Sequence, residues 1–410
     1  MNPSSPAHAE LLITGADRLL TCAAGAPELG CIEGGAVAFS EGEVIWVGPA
    51  AHAPDAEEVI DASGCLVLPG LVDPHTHSVH AGSRSDEFAR RLAGASYTEI
   101  LEAGGGILST VQATRATDRD TLAELARARL RGMLRRGVTT VEIKSGYGLE
   151  VATELRMLEA AWDCRDTVRV VPTFLGAHAI PAEHRGNRDA YVRQIIEEQL
   201  PAVVEAELAE ACDVYCDRGA FSLDESVAIL TRAKELGLSV RVHAEQVVHT
   251  GIAAVAAELG ATSADHLERI DEAGIAAMAA HGTVAVLLPG AQLYLRDDAP
   301  PVQALREAGV PLALGTDLNP GSSPVHDPWS IMTLACILQG FTVEEALLGF
   351  TVQAGRALGR TDLGWLGPGS VADAVVVAPP SGEPAEVASL VQHMGGSRVV
   401  AVVRDGVRVV

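Results

Sequence analysis

Apolar and polar positions change rhythm twice along the chain. From about residue 10 to residue 65, short β-branched runs are cut by turn residues: Glu10-Leu-Leu-Ile-Thr14, Gly35-Ala-Val-Ala-Phe39, Glu43-Val-Ile-Trp-Val47 and Glu57-Glu-Val-Ile60. That texture predicts a small sheet without helices. It returns only at the far end, in Ala372–Ala378, in Ser397–Val403 and, past the turn Arg404-Asp-Gly406, in Val407–Val410. Neither set of strands is large enough to be stable alone. Residues 1–65 and 364–410 are therefore expected to pair into one composite β-sandwich unit.

Between them, over residues 66–363, apolar β-branched runs alternate with stretches whose apolar residues recur every three or four positions. That is the pattern of βα units around a parallel sheet. The strand candidates are Leu66–Asp73, Val138–Lys144, Val168–Leu175, Ala211–Tyr215, Ser239–Val242, Thr262–Ala264, Thr283–Leu288 and Pro311–Gly315. Eight strands are what a closed (β/α)8 TIM-type barrel requires, with Asp120–Arg136, Asn187–Ala211 and Asp224–Leu236 among its outer helices. An open doubly wound sheet would carry a glycine-rich dinucleotide turn after an early strand, and none is present. The stretch Ser78–Thr117, with Gly104-Gly-Gly106 inside it, exceeds an ordinary βα connection and reads as a substrate loop at the barrel mouth.

Composition narrows the class. The formal charge of -24 is spread along 410 residues without a Lys/Arg cluster, which argues against nucleic acid and anionic membrane as partners. The stretch Met1–Glu10 has no basic or apolar leader pattern, and no apolar run approaches the roughly 20 residues of a membrane span, so a cytoplasmic protein is expected. Seven cysteines in mostly apolar surroundings read as reduced core residues, Cys212 and Cys216 included.

The candidate chemistry lies where strands end, because barrel sites are built there. The first barrel strand runs into Asp73-Pro-His-Thr-His77, and residues two apart in an extended chain face the same way, so His75 and His77 can grip one metal ion together. The third strand ends in His178, the fifth in His243, the sixth in His266 and the eighth in Asp317. Imidazoles with one carboxylate suit zinc or iron and leave room for a water, whose pKa the ion lowers. The other histidines (His8, His52, His80, His184, His249, His281, His326 and His393) fall near termini, in loops or on helices and read as surface or structural.

This pattern resembles the amidohydrolase superfamily, which shares a barrel with His-x-His on strand 1, histidines on strands 5 and 6, and an aspartate on strand 8. Many members bridge two metals with a carboxylated lysine on strand 4; here strand 4 has none, and Lys144 lies on strand 2, so one ion per subunit is expected. Within the superfamily the chain is similar to the imidazolonepropionase family of histidine degradation. The segments that carry the likeness are Ala81-Gly-Ser-Arg84, Gly94-Ala-Ser-Tyr97, Gly104–Thr110, Glu142–Gly148, Phe174–His178, His243-Ala-Glu-Gln246, Ser263-Ala-Asp-His266 and Gly315–Ser323.

The resemblance implies metal ligation by His75, His77, His243 and Asp317, and substrate contacts from Arg84, Tyr147, His178, Gln246, Asn319, Gly321 and Ser322. The implied reaction is hydrolysis of 4-imidazolone-5-propanoate to N-formimidoyl-L-glutamate. Arg84 would offer a planar fork to the carboxylate tail. Asp317 would deprotonate the attacking water, His266 would position it, and His178 or the ion would steady the oxyanion. Deaminase relatives place a shuttle glutamate three residues after the strand 5 histidine. This chain has Gln246 there and Glu245 one residue earlier, which leaves Glu245 as a weaker candidate base. The alternatives are a mononuclear deaminase of another small ring or nucleobase, and a silent metal-binding scaffold. The resembled family makes a homodimer the expected assembly.

Overall fold

The computed structural model describes residues 8–94, 99, 105–396 and 398–410. The start of the chain through Ala7, most of the Gly94–Gly104 stretch and Ser397 lie outside the described residues.

Among the described residues, sixteen strands form two sheets. In chain order they are β1 (His8–Leu20), β2 (Cys31–Ser40), β3 (Glu43–Pro49), β4 (Asp55–Asp61), β5 (Leu66–Pro69), β6 (Leu71–Asp73), β7 (Val138–Lys144), β8 (Arg169–Ala177), β9 (Ala211–Cys216), β10 (Ser239–Ala244), β11 (Ser263–His266), β12 (Val284–Leu287), β13 (Leu312–Leu314), β14 (Ala374–Ala378), β15 (Arg398–Arg404) and β16 (Val407–Arg408). Strands β6 to β13 pair in sequence order, all parallel, as βα units dictate. Their residues are buried on both faces, so these strands read as continuous apolar runs. The circle closes just beyond β6 and β13, where Asp317 N donates to the His75 carbonyl at 3.0 Å and His77 N to the Leu318 carbonyl at 2.9 Å.

The remaining strands come from both ends of the chain and make one mixed sheet, in which β14 joins β5 antiparallel and β5 joins β1 parallel. Leu11, Ile13, Val37, Phe39, Val376 and Val403 share a core separate from that of the barrel. Arg169 at the start of β8 ties the two units together through Asp373, 2.5 Å away, and Asp405.

The first barrel strand departs from expectation. Leu66–Asp73 is two strands in two different sheets, β5 among the terminal strands and β6 in the barrel. The chain changes sheets at Gly70, whose N–H bonds the Asp373 carbonyl at 2.9 Å while Leu71 turns to the Gly137 carbonyl at 2.9 Å. Only glycine fits there: a Cβ would lie 2.3 Å from Thr139 Oγ1 and 2.7 Å from Asp373 Cβ. The other seven barrel strands fall within two residues of their expected limits.

The helix expected over Asn187–Ala211 is Arg188–Gln194, a π turn at Ile195–Gln199 and Leu200–Glu205. Pro201 has no N–H to continue an α ladder, and the wider turn before it absorbs the missing bond. The helix Leu223–Glu235 starts as its sequence indicates, with Ser222 and Glu225 forming a reciprocal cap. All seven cysteines are free. Among the described residues no helix is long and apolar enough to cross a membrane.

Gly70→Ala is expected to lower unfolding free energy by about 1–3 kcal/mol, the usual cost of overpacking. Urea denaturation measures it, and an unchanged midpoint would show that this crossing tolerates a side chain.

Candidate metal centre and active site

The barrel seam brings the first and last strand ends into register. Asp73, at the end of β6, accepts bonds from Thr316 Oγ1 at 2.6 Å, Thr316 N at 3.2 Å and His75 N at 3.3 Å. This fixes the path of Pro74 to His77 beside that of Thr316 to Leu318. The side chains of His75, His77 and Asp317 are consequently delivered to one point, and His243 arrives from β10.

The ligand nitrogens of His75, His77 and His243 lie within 4.8 Å of one another. His77 Nε2 faces His243 Nε2 at 3.4 Å, and Asp317 Oδ1 is 3.5 Å from Nε2 of both His75 and His77. All four residues are buried.

Protonation states follow from what lies behind these rings. His75 Nδ1 meets Asp265 Oδ2 at 2.6 Å and His243 Nδ1 meets Asp213 Oδ2 at 3.0 Å. A carboxylate behind Nδ1 keeps the proton there and leaves Nε2 bare, as metal-binding histidines require. Burial first, and then neighbouring cations and imidazoles, hold His75 and His77 well below the usual imidazole value, so both are neutral. His75 Nε2 is buried and has no hydrogen-bond partner among the described residues. Three buried imidazoles, one of them with its Nε2 unpartnered, and one carboxylate fit a borderline divalent cation.

Lys144 holds the two outer aspartates together. Its Nζ lies 2.8 Å from Asp213 Oδ2, 2.8 Å from Glu142 Oε1 and 3.8 Å from Asp265 Oδ2, all with fully buried side chains. Burial works against the ammonium, but the three carboxylates outweigh it and hold Lys144 above its usual value. For Asp213, likewise, His243 and Lys144 outweigh burial and keep the carboxylate ionised. Arg241 Nη1 adds a second cation, 3.3 Å from Glu142. Burial pushes the Asp317 carboxyl up to about 7, and a bound cation would bring it down again.

The other expected site residues divide into those brought to this centre and those held elsewhere. The His178 ring stacks on His77 with centroids 5.0 Å apart, and Tyr147 lies 5.9 Å from His77. His266 is 5.4 Å from His243 and 5.7 Å from His75. Arg84 reaches the loop after Asp317, where a Cβ on Gly321 would fall 2.2 Å from its Nη1. Gln246 is buried just past β10.

Three expectations need correction. Glu245 is not turned to the centre. Its carboxylate accepts from Thr250 N at 3.0 Å and Ala253 N at 3.2 Å and meets His249 Nδ1 at 2.7 Å, so it ties down the following loop and the start of helix Ile252–Glu258. His178 has no free donor on its Nδ1 edge for the expected oxyanion role, because Nδ1 donates to the Gly146 carbonyl at 3.0 Å, and burial pushes its pKa down to about 3. The neutral ring then offers Nε2 as an acceptor. Asn319 spends its side chain on its own loop: Oδ1 accepts from Gly321 N at 2.8 Å and Ser322 N at 2.7 Å, while Nδ2 donates to the Asp317 carbonyl at 2.7 Å and to Ser322 Oγ at 3.0 Å. Asn319 and Ser322 therefore shape the loop that carries Gly321.

Asp213, Asp265, Glu142 and Arg241 are not announced by strand-end placement because they precede the strand ends, and Lys144, at the end of β7, is a cation rather than a ligand type. Their signal was present, since ionisable residues at alternate positions of buried strands (Glu142 and Lys144, Arg241 and His243) have no reason to face a purely apolar core. His80 is buried as well, its imidazole pushed down to about 3 by burial and then by Arg129.

Such a cluster at the mouth of a parallel barrel defines a hydrolase-type metal site, and comparison with known proteins agrees. The model of the amidohydrolase family matches residues 66–409. Proteins named imidazolonepropionase are similar over most of the chain. The one from Caulobacter vibrioides (strain NA1000 / CB15N) is 48% identical, over 88% of this chain and 91% of its own. That from Cereibacter sphaeroides (strain ATCC 17023) is 48% identical, over 89% and 93%. In fold the chain resembles a zinc-bound adenosine deaminase from Xanthomonas campestris, with a TM-score of 0.74 and 21% identity over 98% of this chain and 93% of that one. The chain belongs to the amidohydrolase family and, within it, to the imidazolonepropionase family.

Loss of either outer carboxylate is expected to weaken metal binding at the histidine cluster without removing any of its imidazoles. Asp213→Asn and Asp265→Asn are expected to weaken metal binding about 10–100-fold in a chelator competition. Wild-type affinity in both variants would remove these aspartates from the ion's support.

Proposed function

We propose that this enzyme hydrolyses 4-imidazolone-5-propanoate to N-formimidoyl-L-glutamate by opening the cyclic amide. The observation that carries this reading is the joint placement of the His75/His77/His243/Asp317 cluster and of Arg84, which lies against Gly321 in the loop that follows Asp317. One zinc or iron ion per subunit would be held by those four side chains. A second, lysine-bridged ion has no place here, because β9 carries no lysine and Lys144 is engaged by Glu142 and Asp213. When bound, such an ion lowers the pKa of a water and polarises a carbonyl.

The chain's own groups supply the rest. Asp317 takes a proton from the attacking water and returns it to the ring nitrogen as the C–N bond breaks. His266, packed against His75 and His243, positions that water. His178, with Nε2 bare, accepts a hydrogen bond from a ring N–H of the substrate, and Tyr147 closes the same wall. Gln246 cannot shuttle a proton, so Asp317 carries that duty. The propionate tail meets Arg84, but not through the whole fork. Glu87 already takes its Nε and Nη2 at 2.9 and 2.8 Å, which leaves Nη1, on the Gly321 side, for the substrate.

The direct test is loss of imidazolonepropanoate absorbance, run beside a panel of nucleobases, with turnover expected only of the former. Turnover of a nucleobase instead would overturn the reading. Asp317→Asn, reloaded with metal, is expected to lose at least about 100-fold in kcat, the contribution of a general base. A wild-type rate at full metal occupancy would remove the base from Asp317. Arg84→Ala is expected to raise KM about 10–100-fold with metal content unchanged, since an anchoring contact acts on ground and transition states alike. An imidazolone without the carboxylate should be indifferent to that change; an equal response would remove Arg84 from the tail.

A further inference from the structure

His266 and Glu268 share a feature that the reaction as described leaves unused. Both side chains are buried, at 3% and 2% exposure, and His266 Nδ1 and Glu268 Oε2 face each other at 3.9 Å. Neither atom has a hydrogen-bond partner among the described residues. Buried polar atoms are rarely left so, and two orphans opposite each other need only about 1 Å of movement to form a bond.

The backbone is bent to create this meeting. His266 and Leu267 both adopt left-handed conformations, with φ of 78° and 73°, which side-chain-bearing residues seldom do. The bend is stitched to the end of β10 by Leu267 N on the Ala244 carbonyl at 3.0 Å and Arg269 N on the Glu245 carbonyl at 2.7 Å. In a straight strand residues 266 and 268 would lie side by side along one face; here the turn brings the Glu268 carboxyl to the Nδ1 edge of the His266 ring.

We propose that Glu268 is a positioning residue for His266, its carboxyl engaging Nδ1 so that the ring is held in one tautomer and Nε2 is left to meet the reacting groups. The proposal rests on the reading of His266 as a participant in the hydrolysis beside Asp317. It also assigns a carboxyl to this site from a position other than 245 or 246.

The surroundings agree. Burial raises Glu268 to about 8, with Asp297 and Asp317 adding to the rise and Arg269 opposing it. Burial and then His243 lower His266, with Lys144 and His178 acting in the same sense and Asp213 against it.

The experiment uses zinc-loaded full-length protein with 15N-labelled histidine, His266 being assigned by its loss in His266→Gln. At pH 9.5, His266 of the wild type is expected to carry its proton on Nδ1. In Glu268→Ala its two ring nitrogens should shift toward a tautomer mixture, and Glu268→Gln, whose amide oxygen can still accept, should restore the wild-type pattern. Identical ring-nitrogen shifts in the wild type and Glu268→Ala would overturn the proposal.

Kinetics give the second readout. Glu268→Ala is expected to lose about 10–100-fold in kcat, with KM and metal content within about threefold of wild type, as for other outer partners of site histidines. Glu268→Gln should recover most of that loss. The double variant His266→Ala/Glu268→Ala should be no slower than His266→Ala alone. A loss that adds in full to that of His266→Ala would mean Glu268 does not act through His266. If the wild type fails to turn over imidazolonepropanoate, the reaction assignment falls, while the ring-nitrogen spectra still decide the role of Glu268.

Discussion

The site depends on one buried ammonium. Lys144 lies beneath the histidine cluster, within 2.8 Å of both Asp213 and Glu142, and 3.8 Å from Asp265. Without it, three carboxylates in a barrel interior would face only Arg241, and desolvation would drive them to protonate or the core to open. With it, Asp213 stays ionised behind His243, and Asp265 stays aimed at His75. Lys144 serves here as the counter-charge for the carboxylates that orient His75 and His243. Burial holds the Asp265 and Asp317 carboxyls up at about 7, and a divalent ion beside them would favour their charged forms.

The second constraint is the barrel seam. The bonds that close the sheet run between His75 and Asp317 and between His77 and Leu318, so three of the four expected ligands sit on the closing rung itself. Closing the barrel and building the site are one event. Backbone strain collects at the same level: Glu245, His266 and Asp317 all have left-handed φ values. Each follows or ends a strand whose direction must change sharply for its side chain to be used, and the surrounding hydrogen bonds hold the unfavourable conformation in place.

The barrel and the gathering of His75, His77, His178, His243, His266 and Asp317 at its strand ends could be read from local rules, strand-end placement and two-residue periodicity, whereas the choice of His75, His77, His243 and Asp317 among them came from the family resemblance. What escaped was governed by long-range geometry. The split at Gly70 is invisible in an apolar run that satisfies either sheet, and only the approach of Thr139 and Asp373 determines it. Glu245 and Glu268 look equivalent in sequence, each two residues beyond a position that enters the site. Glu245 is captured by the N–H groups of Thr250 and Ala253, whereas Glu268, although the helix Glu272–His281 follows it closely, faces His266 Nδ1 at 3.9 Å. The tautomer of His178 hinges on the carbonyl of Gly146, a backbone atom that no residue pattern announces.

Arg84 shows how such a framework turns charge into selectivity. A lone guanidinium at a barrel mouth would be flexible and well hydrated, and binding a carboxylate to it would cost ordering and desolvation. Glu87 removes both costs in advance. It takes the Nε and Nη2 edge, accepts from Gly106 N at 2.9 Å and so fastens the side chain to a second segment of the mouth. The remaining Nη1 can approach the loop after Asp317 only because residue 321 has no side chain; a Cβ there would occupy the guanidinium's place. The glycine is needed for room rather than for an unusual backbone angle. On the proposed reading, a tail anchored there would lie in the loop that begins at Asp317, and the same few residues that set the distance from anchor to histidine cluster would determine how long an acid side chain fits.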